Sequence, residues 1–233
     1  MQLDVRERYE RLLAELAEVT REAGRSPADV TVVAVTKKQS AESVRAAINA
    51  GLHDVGENYV QEARAKFDLV REGHADLGAR AHFIGHLQTN KAKAVAQTFD
   101  LVQSVDRLEA GQALARAASA LGKTLPVLVQ VNISPSERFG CAPMEAERLA
   151  EALRAQDGLV VQGIMAIGPV DGGASALAGA FALAAKTFER VGGNTLSIGM
   201  SGDWREAVRC GSTMIRIGTA LFGPREVPTV LGR

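Results

Sequence analysis

Thr31-Val-Val-Ala-Val-Thr36 is the stretch that decides the fold. It is short, rich in β-branched residues and apolar throughout, without the alternation of a strand that has one wet face. Such a run reads as a strand buried on both sides, as in a parallel sheet. Ser26-Pro27 stands before it, and Lys37-Lys38 follows at once. Ser40 then caps a helix with Val44, Ala47 and Ile48 inward and Gly51 at its end.

From this unit the alternation runs outward along the chain. Strands are predicted at Asp54–Glu57, Ala81–Gly85, Leu101–Ser104, Leu125–Ile133, Leu159–Ile167, Thr195–Met200 and Met214–Ile217. Helices are predicted at Tyr59–Val70, Thr89–Gln97, Asp106–Leu121, Pro143–Ala155, Ala174–Val191 and Asp203–Cys210, with a last short element from Ala220. Pro143 suits a first helical turn. Ahead of the first strand, Val5, Tyr9, Leu12, Leu13, Leu16 and Val19 recur at helical spacing, which predicts an amphipathic helix over Leu3–Glu22. The economical reading is α/β: a single (β/α)8 TIM-type barrel over residues 1–233, with the helix of residues 1–23 packed on it. Strand count does not establish closure, so a doubly wound open sheet stays as the competitor.

Composition narrows the function classes. Lys plus Arg and Asp plus Glu are 27 each, so no global field draws in nucleic acid or an acidic membrane. The two cysteines, Cys141 and Cys210, form no CxxC pair and no metal framework. The opening Met1-Gln-Leu-Asp-Val-Arg-Glu-Arg8 is too charged for a signal peptide, and no apolar run is long enough for a membrane helix. The expectation is a cytoplasmic protein with reduced thiols. No exposed apolar face argues for an obligate assembly, so a monomer is expected.

In an eightfold barrel, ligands bind at the C-terminal strand ends, and phosphate often sits on the loops after strands seven and eight. Lys37 and Lys38 follow strand one. Met200-Ser201 ends strand seven, and Ile217-Gly218-Thr219 ends strand eight. Closure makes strands one and eight neighbours, so a lysine and a hydroxyl- and glycine-rich anion cradle would meet. A lysine beside a phosphate cradle points to a phosphorylated aldehyde held as a Schiff base, for which pyridoxal 5′-phosphate is the commonest ligand. Lys37 is favoured over Lys38 because it lies nearer the strand, although spacing alone does not settle the choice. Arg216 lies inside strand eight, where parity leaves an inward or an outward side chain equally open. Facing a pyridine nitrogen, an arginine leaves the ring unprotonated and a weak electron sink. Asn58, after strand two, is placed to reach a ligand on strand one. Glu57 reads as a buried acid or a partner for a lysine. His82 and His86 share the spacing of a helical metal pair but fall on a strand and turn, so His82 reads as a hydrogen-bonded barrel residue. Cys141 lies in a Ser-, Pro- and Gly-rich loop and reads as an idle, exposed thiol.

The chain resembles the pyridoxal phosphate homeostasis protein family, whose fold is like the N-terminal domain of alanine racemase. The resemblance runs nearly end to end. It rests on Val33-Ala-Val-Thr-Lys37, Gly56-Glu-Asn-Tyr-Val-Gln-Glu62, His82-Phe-Ile-Gly-His-Leu-Gln-Thr-Asn-Lys91, Gln103-Ser-Val-Asp106, Gln130-Val-Asn-Ile133, Gly163-Ile-Met-Ala166, Leu196-Ser-Ile-Gly-Met-Ser201 and Gly211-Ser-Thr-Met-Ile-Arg-Ile-Gly-Thr219. It implies an internal aldimine on Lys37, phosphate held by Ser201, Gly218 and Thr219, and Arg216 near the pyridine nitrogen. It also implies a non-catalytic role in holding and delivering the vitamin B6 cofactor, with apo enzymes as recipients.

Two other classes remain open. A racemase or decarboxylase using the same cofactor needs a second base, and the chain has only Tyr9 and Tyr59 as tyrosines, of which Tyr59 is the weak candidate. A Schiff-base aldolase or phosphosugar lyase would use the same lysine without the cofactor.

Overall fold

The computed structural model describes residues 4–71, 77–134, 136, 138–169 and 173–223. Its strands are β1 (Thr31–Val35), β2 (Asp54–Glu57), β3 (Arg80–Phe83), β4 (Leu101–Val105), β5 (Leu125–Val131), β6 (Leu159–Ala166), β7 (Thr195–Met200) and β8 (Met214–Ile217). All pair in parallel in sequence order, and β8 returns to β1 to close the barrel. The register there sets Val33 opposite Arg216 and Ala34 opposite Ile217. The open-sheet alternative is thereby excluded.

The helices are α1 (Val5–Glu22), α2 (Ala41–Asn49), α3 (Val60–Val70), α4 (Ala92–Thr98), α5 (Leu108–Ala120), α6 (Ala146–Arg154), α7 (Gly173–Val191), α8 (Trp204–Arg209) and α9 (Thr219–Phe222). The added helix, α1, starts from a capping box: Asp4 accepts from the Glu7 amide, and Glu7 accepts from the Asp4 amide. Its stripe of Leu12, Leu16 and Val19 is buried with Trp204, Ile215 and Leu221, each such side chain contributing ~1.5–3 kcal/mol. Leu3, the expected first residue of this helix, lies outside the described residues.

Most apolar mass lies between the outer face of the strands and the helices. Within the barrel, Leu101, Leu128 and Met165 form a smaller apolar cluster. His82, Gln103, Ser197 and Arg216 are also buried, so the strand runs that read as apolar carry a polar interior on one side.

Several expected boundaries shift by a residue or two, and three of the shifts have a clear local reason. Strand five stops at Val131, because the Asn132 side chain accepts from the Ser134 amide and turns the chain. Helix six begins at Ala146, so Pro143 lies in the preceding turn. Cys141 explains the delay: its amide donates to Gln130 and its carbonyl accepts from Asn132, pinning the loop to the end of β5. The helix expected from Thr89 opens as a 3-10 turn over Thr89–Lys91 before α4.

Candidate functional site

The chain turns sharply after β1. The Thr36 amide continues the ladder to Gly56, and the Gln39 amide donates back to the Thr36 carbonyl at 3.0 Å. Lys38, the third residue of this turn, has a φ of 62°, a conformation that usually selects glycine. The turn separates the paired lysines. Lys37 is half-buried and lines a cavity of about 340 Å³, whereas Lys38 is exposed. Its amide donates to the Glu62 carboxylate.

A buried ion pair braces the turn from below. Lys66, on α3, donates to the Thr36 carbonyl at 2.7 Å, to Glu57 Oε1 at 2.6 Å and to Glu62 Oε1 at 3.0 Å. Thr36 Oγ1 donates to the same Glu57 oxygen at 2.7 Å. Burial pushes the Glu57 carboxyl up, opposed by Lys66 and Thr36. Sequence reading foresaw a lysine partner for Glu57 but not which one. The signal was the separation of Glu57, Glu62 and Lys66, which places Lys66 on the inner face of α3 one turn beyond Glu62.

Beside Lys37, the ends of β7 and β8 supply polar groups. Ser201 Oγ accepts from the Gly218 amide at 3.2 Å and from the Ala220 amide at 3.4 Å, leaving its own hydroxyl proton for another acceptor. Ser201, Gly218 and Thr219 all line the cavity.

Arg216 points inward, which resolves the parity question. It is 4% exposed and lines the same cavity. Its Nη1 donates to the Ser197 carbonyl and hydroxyl, and its Nη2 to the Ala166 carbonyl. Burial lowers its pKa to about 10, partly offset by Asp203, so it keeps its charge at neutral pH. Asn58 also lines the cavity, with its buried Oδ1 lacking a hydrogen-bond partner. Gly85 makes that position possible, since a Cβ there would lie 2.0 Å from the Asn58 carbonyl oxygen.

All six residues singled out from sequence, Lys37, Asn58, Ser201, Arg216, Gly218 and Thr219, therefore surround one space. Its apolar walls come from Val35, Ile84, Met165, Ile167 and Met200. Sequence reading did not assign these walls, because an apolar strand end looks the same whether it faces a ligand or a core. The volume suits a small molecule with an aromatic ring. An amine, strand ends bearing hydroxyls and a glycine backbone, an inward guanidinium and an orphaned amide oxygen are groups whose chemistry suits the aldehyde, phosphate, nitrogen and polar ring substituent of pyridoxal phosphate.

The other candidates lie apart. His82 is inside the barrel on Asp54 and Gln103. His86 stacks on Phe139 with ring centroids 3.8 Å apart. Among the described residues no group of three His, Cys, Asp or Glu side chains is placed to hold a metal. Cys141 is half-buried rather than exposed, and burial pushes its thiol up to about 12. Among the described residues no helix is long and apolar enough to cross a membrane.

The family described as alanine racemase, N-terminal domain, matches residues 9–226. A pyridoxal phosphate homeostasis protein of Pseudomonas aeruginosa is 41% identical over 225 residues, covering 95% of this chain and 96% of that protein. Among solved structures, PipY of Synechococcus elongatus PCC7942 without PLP superposes with a TM-score of 0.82 at 32% identity, covering 94% of this chain and 100% of that one. PipY with PLP bound gives a TM-score of 0.76 at 32% identity, covering 89% and 100%. The fold is that of an alanine racemase N-terminal domain-type barrel. Within that class, the chain belongs to the pyridoxal phosphate homeostasis protein family.

Proposed function

We propose that this protein binds pyridoxal 5′-phosphate covalently through Lys37 and serves intracellular homeostasis of that cofactor without turning over a substrate. The observation that carries the reading is the meeting, in one cavity, of the Lys37 amine with the hydroxyls of Ser201 and Thr219, the Gly218 backbone and the guanidinium of Arg216. The names of the relatives and the PLP-bound state of PipY agree with it.

When bound, the cofactor supplies an aldehyde that forms a Schiff base with an amine. The rest is done by the chain. Lys37 anchors the aldehyde carbon, and the turn at Lys38 keeps the second lysine out of the way. Ser201, Gly218 and Thr219 hold the phosphate. Val35, Ile84 and Met165 exclude water from the ring. Arg216 donates to the ring nitrogen and, staying charged, does not release a proton to it, so the ring remains a poor electron sink. Asn58 meets a polar ring substituent.

The absence of turnover is supported by the cavity wall. Among the described residues that line it, none is a tyrosine, histidine, cysteine or carboxylate able to act as a second base opposite Lys37. Tyr59 is 58% exposed and does not line the cavity. Residues 1–233 act as one cofactor-binding barrel domain in this reading. The protein is a cytoplasmic monomer that passes the cofactor to apo enzymes and has no nucleic-acid or membrane partner.

Absorption spectroscopy tests the binding. Purified protein given pyridoxal phosphate should develop a Schiff-base band that borohydride removes, with the reduced adduct on Lys37. Incubation with each common amino acid should yield no racemised, decarboxylated or transaminated product above the rate of free cofactor. A protein that forms no adduct revives the aldolase reading, and product formation proportional to protein concentration makes it an enzyme.

A further inference from the structure

Beneath the cavity, a row of polar side chains crosses the barrel from β8 to β2. Arg216 Nη1 donates to Ser197 Oγ at 2.7 Å. Ser197 Oγ donates to Gln103 Oε1 at 2.7 Å. Gln103 Nε2 meets His82 Nδ1 at 2.9 Å, and His82 Nε2 meets Asp54 Oδ1 at 2.8 Å. His82, Gln103 and Ser197 are fully buried, whereas the Asp54 side chain is 20% exposed. The row thus runs from the wall of the cavity to a carboxylate at the strands' opposite end.

Its ends force its direction. A guanidinium only donates, and a carboxylate only accepts. Ser197 receives from Arg216 and hands its own proton to Gln103. Gln103 must turn its carbonyl to Ser197 and its amide nitrogen to His82. His82 must then accept at Nδ1 and carry its proton on Nε2, toward Asp54. Reversing Gln103 would place an Nδ1 proton on His82 and leave a bare Nε2 lone pair against Asp54. It would also strip the Ser197 hydroxyl of its acceptor. Each member therefore has one orientation, and hydrogen bonds aligned head to tail polarise one another. Burial holds His82 low and neutral. Asp54 and Asp100 push it up and Arg80 pushes it down.

We propose that Gln103 and His82 are positioning residues for Arg216, and that this row couples the ring-nitrogen end of the cofactor site to Asp54 at the far end of the barrel. The wall occupies three N–H groups of Arg216, through Ser197 and Ala166. Arg216 lines the cavity, and the two N–H groups left over are those it can offer there. An acceptor on that side draws charge toward itself and weakens the donation to Ser197, a change passed along the row to His82. The proposal rests on the reading that Arg216 faces the ring of bound pyridoxal phosphate.

Nitrogen-15 spectroscopy of the histidine rings tests it, with His82 assigned by its loss in His82→Gln. In the protein without cofactor, His82 should be neutral at pH 7 with its proton on Nε2. A proton on Nδ1, or on both nitrogens, overturns the row outright and needs no variant. Loading with pyridoxal phosphate should then shift the His82 Nδ1 resonance. Gln103→Met, which keeps the volume, and Ser197→Ala, which removes one hydroxyl, should each abolish that response at a cofactor concentration that saturates the variant. Either variant is sufficient if the other does not fold. A response that survives the cut, or a loaded wild type that leaves His82 unmoved, sinks the coupling while the cofactor reading stands. A protein that takes up no pyridoxal phosphate removes the reading beneath it, and the tautomer still decides the row.

Discussion

The ammonium of Lys66 sits 2.7 Å from the carbonyl oxygen of Thr36, the residue immediately before Lys37. That contact ties a helix to the strand end from which Lys37 projects. Glu62 completes the brace by accepting from the Lys38 amide in its left-handed conformation. A lysine at positive φ costs ~1–2 kcal/mol, and the brace offsets that strain at the point where the two lysines part.

Lys66→Met should therefore be costly, because it leaves the carboxylate of fully buried Glu57 without its cation. A loss of about 3–5 kcal/mol at neutral pH is the usual scale. The loss should depend on pH with a definite sign. Burial already pushes Glu57 up, and without Lys66 it rises further, so the folded state holds a proton that the unfolded state releases. Stability then falls as pH rises through that window and recovers toward acid. Urea unfolding of wild type and variant across the acid-to-neutral range checks this. A penalty that is flat with pH contradicts it.

The division of labour between the paired lysines gives a covalent prediction. Lys37→Ala should abolish the imine absorption and the borohydride-fixed adduct, while leaving a folded barrel and weak cofactor binding through the phosphate cradle. Lys38→Ala should keep the adduct, since this side chain is exposed and outside the cavity. Peptide mapping after reduction decides it, and an adduct on Lys38 reverses the assignment.

The parts of the fold legible in the sequence were those with strong local periodicity. Asp54–Glu57, Thr195–Met200 and Met214–Ile217 keep the bounds that pattern gives them, and Thr31–Thr36 loses only its last residue, because turn residues and helical periodicity on either side mark where each strand stops. The cavity residues were legible through topology: once β1 and β8 are neighbours, Lys37 and Thr219 must approach. The inward turn of Arg216 was not, since parity in a short strand is decided by the barrel's shear rather than by the strand's own residues. Nor was the Lys66 brace, which depends on how α3 lies against β1. The interior row escaped notice for a third reason. His82, Gln103, Ser197 and Arg216 come from four different strands, and each alone looks like an isolated polar interruption.

Neutral His82 leaves a mark on stability. Its folded pKa is lowered, chiefly by burial, so the unfolded chain binds its proton more readily. The contribution is fully present above the ordinary value near 6.5 and is lost as pH falls below it. Asp54 and Asp100 moderate the effect and Arg80 strengthens it. His82→Gln should flatten this limb of the stability profile between about pH 7 and about pH 5. A limb that persists unchanged in the variant assigns the proton uptake to another group.

The phosphate cradle predicts a loss that depends on the ligand's charge. Ser201 Oγ already accepts from the Gly218 and Ala220 amides, which aims its remaining proton rather than leaving it to rotate. Ser201→Ala removes a donor to a charged group, and Thr219→Ala removes a neighbouring hydroxyl; each should weaken pyridoxal phosphate binding by about 1.5–3 kcal/mol, or roughly ten- to a hundredfold. Pyridoxal, which carries the same aldehyde and ring but no phosphate, should bind almost as it does to the wild type. Equilibrium titration of both ligands against both variants, followed by the imine band, separates the contributions. Equal losses for pyridoxal and its phosphate would mean that these hydroxyls support the strand ends or the ring instead of the anion.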